Sequence, residues 1–213
     1  TKGVFLMEAM WSRYLPVMAQ VRQWLAEDAI GEPLVVSADF GFRANVDPEG
    51  RLFSPALGGG ALLDIGIYVV SFAAMVLGAQ PDRITAAAHL GETGVDEQTG
   101  VVLGYPGGGI ATLSCAVRAS TPHEARITGS KGTIALDPSW WKGEGATLKA
   151  DGHEERVELV LEGNGYNYEA REVARCLAAG ELESPVMPLD ETVALMRILD
   201  EIRAQIGLKY PME

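Results

Sequence analysis

Apolar and polar residues follow two different periods along this chain, and the change between them predicts the fold class. In the N-terminal third, the apolar runs at residues 4–8 and 34–42 have the length of strands, and the second alternates with Phe42 on its apolar side. A helix is predicted between them, with Ser12 as its N-cap. A longer helix is predicted over residues 61–77, after a polar loop and three consecutive glycines.

Beyond residue 83 the apolar runs shorten to the length of strands. Turns containing Gly and Pro separate strand-like runs over residues 83–161, the last of them at residues 156–161. Helices at residues 166–179 and 189–206, each followed by a glycine, close the chain. Two β–α units, then consecutive strands, then helices indicate an α+β fold, because a doubly wound sheet would keep alternating. No linker interrupts the pattern, so we predict one domain over the whole chain.

The composition narrows the classes of partner and of compartment. The 213 residues include 29 acidic and 17 basic residues, a formal net charge of −12. Nucleic acid is therefore not expected as a partner, because phosphate binding needs clustered Lys and Arg. No membrane association is expected either, since the longest apolar run, residues 65–79, is short for a span. Two cysteines and a start without a signal-peptide pattern predict a cytoplasmic protein.

Two common kinds of site are not predicted. A dinucleotide-binding loop needs a strand, then G-x-G-x-x-G, then a helix. The run GGGALL at residues 58–63 ends in Leu63 instead of the third glycine, and it follows a Ser-Pro pair instead of a strand. No metal site is expected, because His89, His123 and His153 lie far apart without Cys or carboxylate at ligand spacing.

The predicted helix at residues 61–77 carries the candidate chemistry. Nearly all of its residues are apolar, which predicts burial on every side. Asp64, Tyr68 and Ser71 are the exceptions, and their spacing of four and three residues places them in one polar stripe. Burying a carboxylate is costly unless it is paired, so a basic side chain, backbone groups or a ligand pocket must face the stripe.

Two interpretations of this stripe remain open at the level of spacing. Asp64 falls in the first helical turn, where the helix dipole favours an acid, and Tyr68 could be a core aromatic whose hydroxyl is satisfied. Alternatively, Tyr68 is a general acid/base: a phenol is neutral near pH 7 and can donate a proton to a carbonyl being reduced. Asp64 would then orient Tyr68 or bind a substrate hydroxyl.

Four segments of the chain form a recognisable set: FLMEAMWSRYLP at residues 5–16, GGGALLDIGIY at 58–68, ESPVMPL at 183–189 and MRILDEIR at 196–203. Together they resemble the C-terminal domain of the glucose-fructose oxidoreductase/inositol dehydrogenase/rhizopine-catabolism (Gfo/Idh/MocA) superfamily, and within it the dihydrodiol dehydrogenase branch. The likeness runs essentially from end to end.

The resemblance implies a two-domain enzyme of which this chain is the second half. A Rossmann domain outside the chain would bind NADP or NAD. This half would supply an open-faced, mainly antiparallel β-sheet with helices on one face. Two copies would form a homodimer through the open face of the sheet. Tyr68 stands where many relatives have histidine. The family's catalytic lysine lies in a Glu-Lys-Pro motif, which does not surround Lys2, so that lysine belongs to the missing half.

The resemblance also assigns roles near the first predicted strand. Trp11 and Arg13 are implied to contact the nicotinamide end of the cofactor or the substrate. The alternative for this pair is a buried tryptophan and a surface arginine that open a helix. Phe42 could line the substrate site together with Trp11 and Asp64, although its place in a strand is also typical of the core. The Trp140-Trp141 pair is assigned to neither the pocket nor a subunit contact.

The sequence therefore predicts an NAD(P)-dependent dehydrogenase that acts on a secondary alcohol of a sugar, polyol or cyclic diol. Tyr68 is its predicted general acid/base, and this half alone is expected to be inactive. The alternative is a non-catalytic sheet module that dimerises and binds no cofactor.

Overall fold

The strand-like runs of the sequence form one open sheet of eight strands. The computed structural model describes residues 3–213; Thr1 and Lys2, the lysine considered above, lie outside the described residues. The strands are β1 (Pro33–Gly41), β2 (Arg83–Leu90), β3 (Asp96–Gly104), β4 (Ile110–Ala116), β5 (Ala125–Gly129), β6 (Gly132–Leu136), β7 (Gly145–Ala150) and β8 (His153–Glu158). Their order across the sheet is β2-β3-β4-β1-β5-β6-β7-β8.

The strand pairing confirms the predicted α+β class with a mainly antiparallel sheet. Every neighbouring pair is antiparallel except β1 and β4, which run parallel with Ala38 beside Leu113. β1 is thus inserted between β4 and β5. The connection from β1 to β2 crosses one face of the sheet and contains a helix. This crossover carries the residues with candidate chemistry.

Four α-helices accompany the sheet: α1 (Pro16–Ala26), α2 (Ile67–Leu77), α3 (Asn167–Ala179) and α4 (Leu189–Ile206). Helix α2 packs on β1 and β4, and α4 packs on β2. In β4, Ala111, Leu113 and Cys115 are buried, whereas Thr112 and Ser114 are exposed. This alternation gives the sheet one covered face and one open face.

A π-helical turn, Leu62–Gly66, precedes α2. The backbone N–H of Leu62 donates to Oδ2 of the buried Asp96 at 2.8 Å, which anchors the start of the turn to β3. Gly60 has φ of +117°, and a Cβ there would lie 2.2 Å from Asp96 Oδ1. A glycine is therefore required at this position, both for the backbone angle and for the close approach of the carboxylate.

The helix predicted over residues 61–77 is only partly enclosed. Its core side is buried, but Asp64, Ile67 and Tyr68 are half-buried, so the prediction of burial on every side is wrong at its N-terminal end. By length and composition the stretch Pro55–Leu77 would suffice to cross a membrane. Here its helical part packs on the sheet, and such a buried core helix passes the same test of apolarity.

Two predictions near the N-terminus are wrong. Residues 4–8 form no strand: no neighbouring strand pairs with them, and the segment is held by the N–H of Leu6 on the carbonyl of Leu182. Ser12 does not cap a helix, because it lies inside a buried 3₁₀ turn, Trp11–Tyr14. Helix α1 begins instead at Pro16, whose fixed φ suits the first helical position.

The predicted strand at residues 156–161 is shifted. Strand β8 spans His153–Glu158, and it pairs with β7 through a two-residue turn at Asp151 and Gly152. Both turn residues have positive φ, as a tight hairpin between twisted strands requires. The turn fixes the register, so β8 begins directly after it.

Candidate functional site

Tyr68 lies on the first turn of α2, half-buried, with its hydroxyl beside Trp11. The indole Nε1–H of Trp11 donates to the Tyr68 hydroxyl oxygen at 3.0 Å. On the sheet side the phenol ring meets Phe40 edge to face, with ring centroids 5.6 Å apart. Burial raises the pKa of Tyr68 above its ordinary value of 10, and the bond from Trp11 acts in the opposite direction. The phenol is therefore neutral at neutral pH, as a proton donor must be.

Trp11 is held in place by the 3₁₀ turn and by helix α3. The turn Trp11–Tyr14 comes directly before α1, and the Trp11 ring packs on Tyr166 with centroids 4.8 Å apart. Trp11 is buried, whereas Tyr166 is half exposed. An indole with a fixed ring therefore presents its single N–H to Tyr68.

Asp64, one turn before Tyr68, is paired with a side chain from the preceding loop. Its carboxylate accepts hydrogen bonds from both terminal nitrogens of Arg51, and this pairing raises the pKa of the arginine. The Asp64 side chain is 20% exposed and that of Arg51 68% exposed. Asp64 therefore lies at the surface beside Tyr68, and no bond joins the two among the described residues.

Arg13 is buried and its guanidinium makes four contacts inside the protein. Nε donates to Ser71 Oγ at 3.0 Å, and Nη2 donates to the Ser71 carbonyl at 2.6 Å. Nη2 also pairs with Glu191 at 2.5 Å, and Nη1 lies 3.4 Å from the Val186 carbonyl. The predicted surface arginine is thus an internal tie between the 3₁₀ turn, α2 and α4. Its contact with a cofactor stays a prediction.

Aromatic side chains surround the phenol on the sheet side. Trp141 stacks on Phe40 with centroids 3.5 Å apart and planes 14° apart. Phe42 meets Phe40 edge to face at 6.4 Å, and His123 contacts both Phe40 and Trp141. Phe42 and Trp141 are half-buried, so both present part of a ring next to the site.

The polar stripe predicted on the helix is thus faced by three different side chains. Arg51 pairs with Asp64, Trp11 with Tyr68, and Arg13 with Ser71. Spacing predicted that such partners exist but not which residues they are. Trp141 belongs to the tryptophan pair that the sequence left open between the pocket and a subunit contact. His123 and Tyr166 were not predicted at the site, because they come from a turn and a helix end distant in sequence.

The glycine run at residues 58–60 serves the helix start and forms no phosphate loop. The Gly59 carbonyl accepts the Tyr210 hydroxyl at 2.7 Å, and Gly60 packs on the Asp96 carboxylate. A carboxylate in that place would repel a phosphate group. Within residues 3–213, His, Cys, Asp and Glu form no group of three that could hold a metal ion.

The family profile and the curated relatives that match this chain agree on one family. The sequence profile of the GFO/IDH/MocA C-terminal domain matches residues 18–135, more than half of the chain. The chain belongs to the GFO/IDH/MocA family. Among curated relatives, it is 39% identical to trans-1,2-dihydrobenzene-1,2-diol dehydrogenase of Mus musculus over 222 residues, which take in 100% of the chain and 65% of the mouse protein. The Xenopus tropicalis protein of the same name is 39% identical over 218 residues, 98% of the chain and 65% of that protein.

Solved structures share the fold of this GFO/IDH/MocA domain. A 3-ketoreductase from Actinomadura kijaniata, in complex with NADP and TDP-benzene, superposes with a TM-score of 0.81 at 23% identity, over 96% of this chain and 63% of that one. An aldose-aldose oxidoreductase from Caulobacter crescentus, complexed with glycerol, gives 0.81 at 23% identity over 92% and 60%. The chain therefore spans about two thirds of the length of the proteins it matches.

Proposed function

We propose that the protein containing this chain is an NAD(P)-dependent oxidoreductase and that Tyr68 is its general acid/base. One observation carries the proposal. A half-buried phenol lies next to a partly exposed carboxylate, Asp64, and receives its hydrogen bond from Trp11, a group that can only donate. Relatives that share the whole length of the chain are named dehydrogenases, which supports the reaction class.

The proton transfer is the step that this chain would supply. In reduction, the neutral Tyr68 hydroxyl donates its proton to the carbonyl oxygen of the substrate; in oxidation, the phenolate takes the proton from the alcohol. When bound, the nicotinamide of NADP or NAD supplies or takes the hydride. Residues 58–60 offer no dinucleotide cradle, so we assign cofactor binding mainly to the remainder of the protein. Trp11 and Arg13 stay the predicted contacts of this chain.

The surroundings of Tyr68 favour a ring-shaped substrate with more than one hydroxyl. Phe42, Trp141 and Tyr166 expose parts of aromatic rings around the phenol, and such rings bind the apolar face of a sugar or cyclic diol. Asp64 can accept a hydrogen bond from a second hydroxyl of the substrate. A cyclic diol also fits the relatives named for a dihydrobenzene diol.

We also propose that the protein forms a homodimer through the open face of the sheet. The central part of this face, here called the open patch, consists of Val35, Thr85, Ala87, Gly100, Val102, Ile110, Thr112 and Ser114, all exposed. None of these eight side chains is ionisable, and Asp39 and Arg126 lie at the edge of the patch, paired with Ser114 and Ser37. Because the chain carries a net charge of −12, two copies repel each other least where acidic side chains are few. The open patch is exposed and partly apolar, and it contains no ionisable side chain of its own, which makes a second copy its best occupant.

The catalytic assignment is tested in the full-length protein. Tyr68→Phe keeps the ring and its contacts, so stability and cofactor affinity should stay nearly unchanged. Turnover should fall roughly 10²–10⁴-fold, the usual share of a positioned general acid/base. Asp64→Asn should lower turnover less, because the amide oxygen still accepts a hydrogen bond. The measurements are kcat and KM with a cyclic diol and with a sugar, alongside thermal unfolding.

Full turnover in Tyr68→Phe with a loss of several kcal/mol of stability would make Tyr68 a core tyrosine. That outcome would favour the alternative function, a dimerising sheet module without catalysis. Ser71→Ala is not a suitable control, because Ser71 holds Arg13. Tyr105→Phe is better matched, since the Tyr105 hydroxyl is buried without a partner on the distant strand end and its loss should leave kcat unchanged.

A further inference from the structure

Trp11 and Tyr68 form a hydrogen bond that can run in only one direction. An indole nitrogen is a donor and never an acceptor, so in the 3.0 Å contact the phenol oxygen must accept. The hydroxyl proton of Tyr68 then has to point elsewhere. A phenol O–H lies close to the plane of its ring and can take two directions, and the Trp11 N–H occupies the lone pair on one side.

The other direction of the Tyr68 O–H meets no acceptor among the described residues. Among residues 3–213, the Tyr68 hydroxyl makes no hydrogen bond besides the one it accepts from Trp11. We propose that Trp11 is a positioning residue that directs the Tyr68 proton toward the substrate and stabilises the phenolate left when that proton is transferred. This inference rests on the proposed catalytic role of Tyr68.

Two contacts tie the turn that carries Trp11 to the helix that carries Tyr68. Trp11 and Arg13 lie two residues apart in the same 3₁₀ turn, and their partners Tyr68 and Ser71 lie three residues apart on α2. The turn is thus tied to the helix twice, once by an indole and once by a guanidinium. Arg22 adds a third restraint from α1, since its Nη1 donates to the Arg13 carbonyl at 2.6 Å.

Trp11 acts on the pKa of Tyr68 in the opposite direction to the other groups around the phenol. Burial raises the pKa of Tyr68 most; Tyr166 and Glu169 of α3 and Asp64 of its own helix raise it further, and the Trp11 bond lowers it. Asp64 is itself paired with Arg51. On the sheet side the ring meets Phe40, with His123 behind it. Removal of the indole N–H should therefore raise the pKa of the phenol.

The direct test is a titration of Tyr68 in this chain by NMR, with ¹³C at the hydroxyl-bearing ring carbon of tyrosine. The Tyr68 signal is identified by its loss in Tyr68→Phe. Trp11→Phe keeps an aromatic ring against Tyr166 but has no N–H, and the pKa of Tyr68 should rise. Trp24→Phe is the matched control: Trp24 is an equally buried tryptophan of α1 that makes no bond to Tyr68, so the titration should not change. An unchanged Tyr68 pKa in Trp11→Phe would overturn the inference.

A second measurement avoids dependence on the folding of Trp11→Phe. In the wild-type chain labelled with ¹⁵N-tryptophan, one indole N–H signal should shift as Tyr68 ionises, and this shift should vanish in Tyr68→Phe. If no indole signal follows the titration of Tyr68, the hydrogen bond is not present in solution and the inference fails.

Kinetics of the full-length protein separate this inference from the proposed function. Trp11→Phe should lower kcat at least about tenfold, the size expected for one hydrogen bond to a charged group. In the Tyr68→Phe background the same change should have no further effect. If Tyr68→Phe abolishes turnover while Trp11→Phe leaves kcat unchanged, the proposed function stands and the positioning role is wrong. If Tyr68→Phe keeps full turnover, the proposed function itself fails.

Discussion

Arg13 and Asp64 are charged residues of the same site with opposite environments. The Arg13 guanidinium is buried, and every contact it makes is to the protein. Asp64 is partly exposed, and most of the side chain of its partner Arg51 faces solvent. A ligand can therefore displace Arg51 from Asp64 at small cost, because an exposed ion pair stabilises a protein by about 1 kcal/mol or less. The same exchange at Arg13 would leave Glu191 unpaired.

Arg13→Ala should destabilise the chain by about 3 kcal/mol, because it removes a buried guanidinium with four contacts and leaves the Glu191 carboxylate, 19% exposed, without its partner. The measurement is chemical unfolding of the 213-residue chain. Arg197→Ala is the matched control: Arg197 is exposed on the same helix as Glu191, and its loss should change stability by about 0.5 kcal/mol or less. If Arg13→Ala keeps wild-type stability but weakens cofactor affinity in the full-length protein, the cofactor contact predicted from the sequence is its main role.

At the scale of elements, the start of the helix that carries Tyr68 depends on one buried carboxylate. Asp96 begins β3 and accepts hydrogen bonds from the Leu62 N–H and from the Thr99 hydroxyl, at 2.8 and 2.6 Å. Its other oxygen, Oδ1, has no partner among the described residues. Burial raises the pKa of Asp96 to about 6. The carboxylate thus fixes the π turn, and through it the position of Tyr68, but it is costly to ionise.

Asp96 should make folding stability depend on pH in a defined direction. Its pKa is higher in the folded protein, about 6, than the ordinary 3.8, so its contribution is fully present below about pH 4 and is lost as pH rises through 6. The loss amounts to roughly 3 kcal/mol. In Asp96→Asn, which cannot ionise, this loss should be missing, and the difference in unfolding free energy from wild type should change with pH by that amount.

The control for this titration is an aspartate at the surface. Asp82→Asn changes an exposed carboxylate just before β2, and its stability should follow the wild-type pH dependence. Urea unfolding of the three proteins between about pH 4 and 7 makes the comparison. Should Asp96→Asn track wild type across that range, Asp96 would not be the buried acid that the geometry indicates.

The elements also show what a sequence pattern can and cannot predict. Helices α3 and α4 lie within one residue of their predicted bounds, and strands β2 to β7 fall inside the predicted strand-rich stretch at residues 83–161, because periodicity and glycine ends are local signals. The run at residues 4–8 is as apolar as a strand, but a strand needs a neighbour, and pairing is not encoded locally. The Asp151-Gly152 turn is a local signal for the register of β8. The prediction of a strand at residues 156–161 rested on apolar residues alone and did not use it.

The same distinction holds for the site. Asp64 and Tyr68 share one helix, so their spacing could mark them. Arg51, Trp141 and Tyr166 reach the site from a loop, a 3₁₀ turn and a helix end, and only the tertiary fold brings them together. Arg13 shows another limit of sequence: the resemblance implied a cofactor contact, which stays a prediction, but no local pattern indicated that Glu191 would pair with its charge inside the protein.

At the scale of the whole molecule, the sheet leaves the open patch on the side away from the helices. Val35 and Ile110 are neighbours on β1 and β4, and Val102 lies between Thr85 and Thr112 on the adjoining strands. Gly100 has open space where a side chain would be. A surface that is exposed, partly apolar and made of uncharged side chains matches the central part of a subunit interface better than a solvated sheet face.

Val102→Glu tests the proposed dimer, because it places a charge in the middle of the open patch without touching the core. Val102 is 45% exposed, so the folded monomer should tolerate the change. In a symmetric dimer the residue occurs twice, and two buried carboxylates would face the same interface. Sedimentation equilibrium at micromolar concentration should give a dimer for the wild-type chain and a monomer for Val102→Glu, with circular dichroism unchanged.

Val193→Glu is the matched control: Val193 is 47% exposed on α4, away from the sheet, and that variant should remain dimeric. A wild-type chain that sediments as a monomer, or a Val102→Glu variant that stays dimeric, would place any self-association on another surface.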